Sequence, residues 1–379
     1  MKVAGVISEF NPFHNGHRYL IEKIKSEHAD CVVAIMSGNF VQRGDVAITD
    51  KYERAKAALQ GGCDLVVELP TIFALSSAER FAKGGVDIAK ALSCDILCFG
   101  AENDDINKLT EIADVFSDED FKSKLKENLS AGEYYPKAVS YAIYSILGEE
   151  YAQALSGANN TLAVEYIKAL KNTDISPVAI KRLGVEHDSD KTYKNIASAT
   201  FIRSLIKENK SYSDYTDIEL SDYADINELE TAILYKLRTM SKDDIEKLPD
   251  VAEGLHNRIF ECARKSNSLE EFYSNLKTKR YTLSRLRRIV VCALLNITKE
   301  STCGDVSYVR VLGMTQKGST LLKSAKLPIV CNFPNDYEKL DNNSKALFDI
   351  DIQANNVYSL SKVKSKDFVN EYQRRIIKI

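Results

Sequence analysis

Apolar and polar positions along the first hundred residues follow two periods in turn. Near-continuous apolar runs at 3–10 (VAGVISEF), 31–38 (CVVAIMSG), 63–70 (CDLVVELP) and 94–100 (CDILCFG) read as strands covered on both faces. Between them, 17–27, 50–62 and 77–92 repeat apolar residues at the three- and four-residue spacing of amphipathic helices. Alternation at this spacing predicts right-handed crossovers and an α/β fold built on a doubly wound parallel sheet. From 104 to 171 the pattern is mainly helical. A further strand, PVAIKRL (177–183), and a helix in SATFIRSLIKEN (198–209) follow.

The pattern lapses into polar turn formers at NKSYSDYTD, 209–217. The expected division is therefore an α/β unit over 1–212 and a mainly helical unit over 213–379, helical to 296 and mixed beyond. A chain of 379 residues has room for two such units. Its net charge of −3 argues neither for nor against nucleic acid, so local clustering decides. One stretch, KTKRYTLSRLRRIV at 277–290, gathers Lys277, Lys279, Arg280, Arg285, Arg287 and Arg288 with no acid between them. Such a cluster suits phosphates and marks the RNA-facing candidates.

No run approaches the roughly 18 apolar residues of a membrane span, and the first apolar run is too short for a signal-peptide core. The expectation is a cytoplasmic protein without a membrane or protein partner. Of eight scattered cysteines only Cys94 and Cys98 lie close, with no second pair or histidine nearby. Reduced thiols and no protein-bound metal are expected.

In an open parallel sheet, ligands sit beyond the carboxyl ends of the strands. NPFHNGH, the turn after the first strand, holds that position. Neither G-x-G-x-x-G nor G-x-x-x-x-G-K-[ST] is present there, and GMTQKGST at 313–320 has its lysine before the glycine. What remains is a histidine pair, His14 and His17, around Gly16 at a helix start. Two donors so placed suit an anion, and the charge that builds on a phosphoryl group under attack. MSGNFVQRG, after the second strand, sets Asn39, Gln42 and Arg43 at the same sheet edge. FGAEN closes the fourth strand with Gly100 and Glu102. TMSKDD (239–244) reads as a helix N-cap at Ser241.

NPFHNGH resembles the H-x-G-H signature of the nucleotidyltransferase superfamily shared with class I aminoacyl-tRNA synthetases. IASATFIR (196–203) is similar to that superfamily's second element, with Ser198 and Thr200 for phosphates and Arg203 for departing pyrophosphate. GVISEFNPFHNGH, MSGNFVQRGDVA, DLVVELP, FGAEN and NNTLAVEYIKAL together resemble one bacterial family, the tRNA(Met) cytidine acetate ligases. That resemblance implies ATP, with Mg2+, as the activating substrate. Acetate would become acetyl-adenylate, and its acetyl group would pass to N4 of the wobble cytidine of elongator tRNA(Met).

His14, His17 and Arg203 carry the catalytic expectation. The resemblance also implies nucleotide contacts by Ile7, Ser8, Glu9, Phe10, Asn11, Pro12, Phe13, Asn15, Gly16, Arg18, Tyr19 and Leu20. Gly100, Arg182 and one or both of Asn159 and Asn160 complete that set. Asn39, Gln42, Arg43 and Glu102 are the acetate or cytidine candidates. The competing readings are a small-molecule adenylyltransferase of the same fold, for a phosphopantetheine or mononucleotide, and a noncatalytic RNA-binding protein. A long second half with a basic cluster weighs against the former.

Overall fold

A computed structural model of the chain describes residues 1–155, 157–183, 195–252, 254–333 and 335–379. The alternation read from the sequence builds strand β1 (Val3–Ser8), helix α1 (Asn15–Glu27), β2 (Cys31–Ser37) and α2 (Lys51–Gln60). Then come β3 (Leu65–Leu69), α3 (Ala78–Ala91), β4 (Ile96–Ala101), α4 (Ala158–Leu170), β5 (Ser176–Lys181) and α5 (Ala199–Lys207). Every residue of β2 and β3 is buried, which is why those strands lack a polar alternation. Among the described residues four helices, Ile106–Val115, Glu119–Ser130, Tyr135–Leu147 and Glu149–Ala154, stand between β4 and α4.

Five strands run parallel in the order β3–β2–β1–β4–β5, so the winding reverses between β1 and β4. A crevice opens beyond the carboxyl ends of these two strands, the place where ligands enter sheets of this topology. The predicted doubly wound fold is present, and so is the helical region of the second half. Its helices run from Glu230 through Leu255–Lys265 and Leu269–Leu276 to α6 (Leu283–Leu294). At Ser241 the expected cap forms, reciprocated by Asp244.

The chain crosses the division expected at 212/213. After α6 it returns to the sheet: β6 (Val309–Met314) pairs antiparallel with β3, and β7 (Ile329–Val330) and β8 (Ile377–Lys378) lie parallel to β6. Helix α7 (Asn342–Ser359) packs between. The returning strand buries Val309, Val311 and Leu312 in the core, and a charged cluster lies beside it. Lys51 Nζ lies 2.8 Å from Glu68 and 2.9 Å from Glu371, and Arg310 Nη2 lies 3.0 Å from Glu371 and donates to the Tyr52 hydroxyl. All four ionic side chains are buried. Burial pushes the Glu68 carboxyl up to about 7 against the pull of Lys51. Burial opposes ionisation of Glu371 too, but Lys51 and Arg310 outweigh it and hold that group below its ordinary value. Two carboxylates facing two cations thus join the last residues of the chain to the start of α2.

Candidate active site

Strand β1 delivers the chain to a tight reversal at the crevice. Phe10 takes φ 45°, in the left-handed region that costs a non-glycine residue about 1 kcal/mol or more. Its ring is buried edgewise against Phe13, with centroids 5.0 Å apart, and against His17, at 4.8 Å, which holds the turn. The two histidines then open α1 as a reciprocal cap. His14 Nδ1 accepts the Gly16 N–H at 3.1 Å, and His17 Nδ1 accepts the His14 N–H at 3.2 Å. The rings stack with centroids 3.7 Å apart.

That cap has a chemical consequence. A neutral imidazole accepting at Nδ1 carries its proton at Nε2. Both rings line one cavity, so each is left with an Nε2–H donor for a ligand there. Burial, with Arg182 and Arg203 beside it, lowers the His14 pKa to about 3. Burial, then His14, then Arg182, likewise lowers that of His17 well below its ordinary value. Near neutral pH both are uncharged donors, and arginines supply the positive field.

Gly16 is needed for room. A Cβ there would sit 2.9 Å from His14 Cε1 and 3.1 Å from Nδ1, where the imidazole folds back over the helix start. Gly16→Ala is expected to displace that ring and weaken nucleoside triphosphate binding by tenfold to a hundredfold, on the order set by misplacing one group. The lost cap would lower stability by about 1 kcal/mol. Calorimetric titration and a thermal melt read the two effects separately; unchanged affinity would remove the ring from the binding site.

The cavity has a volume of about 440 Å³ and is lined from β1, α1, β4, α4, β5 and α5. Of the sequence candidates, Ile7, Ser8, Glu9, Phe10, Asn11, His14, Gly16, His17, Tyr19 and Leu20 line it. So do Gln42, Arg43, Gly100, Asn159, Arg182, Thr200 and Arg203. Arg203 donates to the Asn11 carbonyl at 2.7 Å and to Thr200 Oγ1 at 3.1 Å, which aims a guanidinium from α5 at the histidine turn.

Other candidates build the walls rather than line the cavity. Asn15 donates to the carbonyls of Asn195 and Asp214, and Arg18 pairs with Asp217. The Phe13 carbonyl accepts from Thr216. Pro12 follows a cis peptide bond within the turn. Ser198 caps α5 through the Phe201 N–H. Asn160 is buried, accepting from the Glu102 N–H and donating to the Ala154 carbonyl, so of the asparagine pair only Asn159 reaches the cavity.

Two substrate candidates are corrected by their partners. Asn39 is 3% exposed, bonded to Asn355 and to the Lys51 N–H, because α7 covers the loop that carries it. Glu102 accepts from the Asn159 side chain and the Asn160 N–H, capping the start of α4.

The basic stretch divides. Lys277, Lys279 and Arg280 are exposed. Arg285 donates to the Asp250 carbonyl, and Arg288 pairs with the Asp250 carboxylate at 3.0 Å. Arg287 instead lines the cavity. It arrives there because Gly44, at φ 73°, lets the loop after β2 meet α6 backbone to backbone; a Cβ would stand 2.4 Å from the Arg288 nitrogen.

Sequence reasoning missed three features. Arg54, fully buried on α2, donates to the carbonyls of Glu9, Ser37, Gly38 and Thr49 and so ties the β1 and β2 loops together. Asp45 and the aromatic wall of Phe81, Phe99 and Tyr166 also line the cavity. In sequence these read as ordinary helix and strand residues. Among the described residues, no group of three or more His, Cys, Asp or Glu side chains is arranged to hold a metal ion. Among the described residues, no helix is long and apolar enough to cross a membrane.

With this geometry in place, comparison with known proteins is informative. The profile of the family described as HIGH Nucleotidyl Transferase matches residues 1–373. The tRNA(Met) cytidine acetate ligase of Caldanaerobacter subterraneus subsp. tengcongensis is 40% identical, covering 95% of this chain and 96% of that one. The protein of that name from Clostridium perfringens is 37% identical over 95% of each. Among solved structures, Thermotoga maritima TmcAL superposes with a TM-score of 0.90 at 32% identity over the full length of both chains. It does so as the apo form and as the form bound with alpha-thio ATP.

Proposed function

Since the chain belongs to the HIGH nucleotidyl transferases and, among them, to the tRNA(Met) cytidine acetate ligases, we propose that it joins acetate to a cytidine of tRNA(Met) at the expense of ATP. The observation that carries this is the pair of Nε2–H donors on one cavity with Arg182 and Arg203. The relation to a protein solved with alpha-thio ATP adds to it.

In the first step an acetate oxygen attacks the α-phosphorus; an O–P bond forms and pyrophosphate departs with the electrons of the broken anhydride. His14 and His17 meet the oxygens on which charge builds, and Arg203 meets the leaving pyrophosphate. The cavity-lining residues of stretch 7–20 other than Glu9, with Gly100, Asn159, Arg182 and Thr200, hold the nucleotide. In the second step the cytidine N4 attacks the acetyl carbonyl and AMP leaves, a reaction governed by positioning. Gln42 and Arg43 are the contacts for acetate or base.

Mg2+ would enter as part of the nucleotide. Its preferred donors are phosphate oxygens and water with few carboxylates, and the side chains here build no cage of their own. RNA would approach over the exposed Lys277, Lys279 and Arg280, with Arg287 leading from that surface into the cavity. Such a protein works in the cytoplasm, where its tRNA is. A small-molecule adenylyltransferase is disfavoured, because the acetate ligases match along nearly the whole chain, second half included.

The test is mass spectrometry of nucleosides from tRNA incubated with the protein, ATP and acetate. An acetylated cytidine that needs all three is expected. Its absence, with ATP consumed on another acceptor, would overturn the reading.

A further inference from the structure

Glu9 is out of place in an anion cradle. It lines a cavity whose other charged groups include Arg43, Arg182, Arg203 and Arg287, and a carboxylate there repels the phosphates that those arginines attract. Its surroundings fix it firmly. Oε1 accepts the Gln42 N–H at 2.9 Å, and the Glu9 carbonyl accepts from the buried Arg54. Tyr166, 5% exposed and lining the same cavity, lies close enough for the Glu9 charge to act on its hydroxyl. With Phe81 and Phe99 it forms an aromatic wall, the Tyr166 and Phe99 rings tilted by 44° with centroids 5.6 Å apart. A planar base fits such a wall, and an amino group is the partner a carboxylate wants at its edge.

We infer that the Glu9 carboxylate is the base that takes the proton from the attacking exocyclic amine in the second step. This rests on the acetate-ligase reading and deepens it. The amine lone pair attacks the acetyl carbonyl carbon of acetyl-adenylate, and an N–C bond forms. The C–O bond to the phosphate breaks and its electron pair leaves with AMP. One amine proton passes to Glu9. Burial, opposed by Arg203, the Gln42 N–H, Arg43 and Arg54, leaves the Glu9 pKa above its ordinary value, which favours that acceptance.

The experiment compares two half-reactions in Glu9→Gln. Acetate-dependent exchange of labelled pyrophosphate into ATP reads the first step; transfer of labelled acetate to tRNA reads the whole. Transfer is expected to fall by roughly a hundredfold or more, and exchange by less than a tenth of that factor. Glu9→Asp should recover part of the transfer. If exchange and transfer fall together, the carboxylate serves the nucleotide or its metal ion, and the inference is overturned. Unchanged transfer overturns it as well. The native protein is the control that separates the two readings. If it makes no acetylated cytidine, the acetate-ligase reading falls and takes this one with it. If it does and Glu9→Gln does equally, only the role of Glu9 falls.

Discussion

His17→Ala is expected to lower acetate-dependent pyrophosphate exchange by on the order of 10²–10³ while tRNA affinity stays nearly unchanged. The effect is large because the ring holds two positions at once. Its Nδ1 closes the helix cap on the His14 N–H, and that bond leaves Nε2–H as the donor to the cavity. Alanine removes both. His17→Asn separates them: a short amide keeps an oxygen near the cap but no donor at the reach of Nε2, so activity should remain lost while the melting temperature recovers. Exchange assays read the first effect, a thermal melt the second, and a filter-binding titration the tRNA. Turnover equal to that of the native protein would remove His17 from the chemistry.

The second large effect is on stability. Glu371→Ala leaves Lys51 and Arg310 facing each other, both 1% exposed, without the carboxylate that separates them at 2.9 Å and 3.0 Å. Breaking a buried ion pair from one side costs about 3–5 kcal/mol, since a charge is left in the interior without compensation. A loss of that size in a urea titration is expected. Replacement of Lys51, Glu68, Glu371 and Arg310 together by apolar residues of similar volume should be far milder than the single change. Additive losses would mean that the charges act independently. The site should feel the single change too, because the Lys51 N–H holds Asn39 in the loop that carries Gln42 and Arg43.

How much of this was legible in the sequence follows the range of each interaction. The strands, the crossovers and the histidine cap depend on neighbours a few residues apart, and the apolar periods and H-x-G-H spacing disclosed them. Arg203 was legible through the SATFIR segment. The partners that reassign Asn39, Glu102, Arg285 and Arg288 lie at a distance: Asn355 stands 316 residues from Asn39, and Asp250 38 residues from Arg288. A polar residue in a loop reads as available until the element that covers it is placed. Return of the chain to the sheet was hidden for the same reason, since β6 is a short apolar run of ambiguous type whose partner strand, β3, lies far away in the sequence. Tyr166 sits on an apolar helix face, where nothing local distinguishes a cavity wall from the core.

The union of Lys51 with Glu371 also bears on how this protein is made. A ribosome releases the amino end first, so α2 and the loops beside it emerge while the carboxylate that Lys51 requires is still hundreds of codons from synthesis. The lysine must wait in water, and the sheet cannot acquire its antiparallel border until β6 has been made. A product that stops short of Glu371 would carry every signature of the enzyme and could not close its own core.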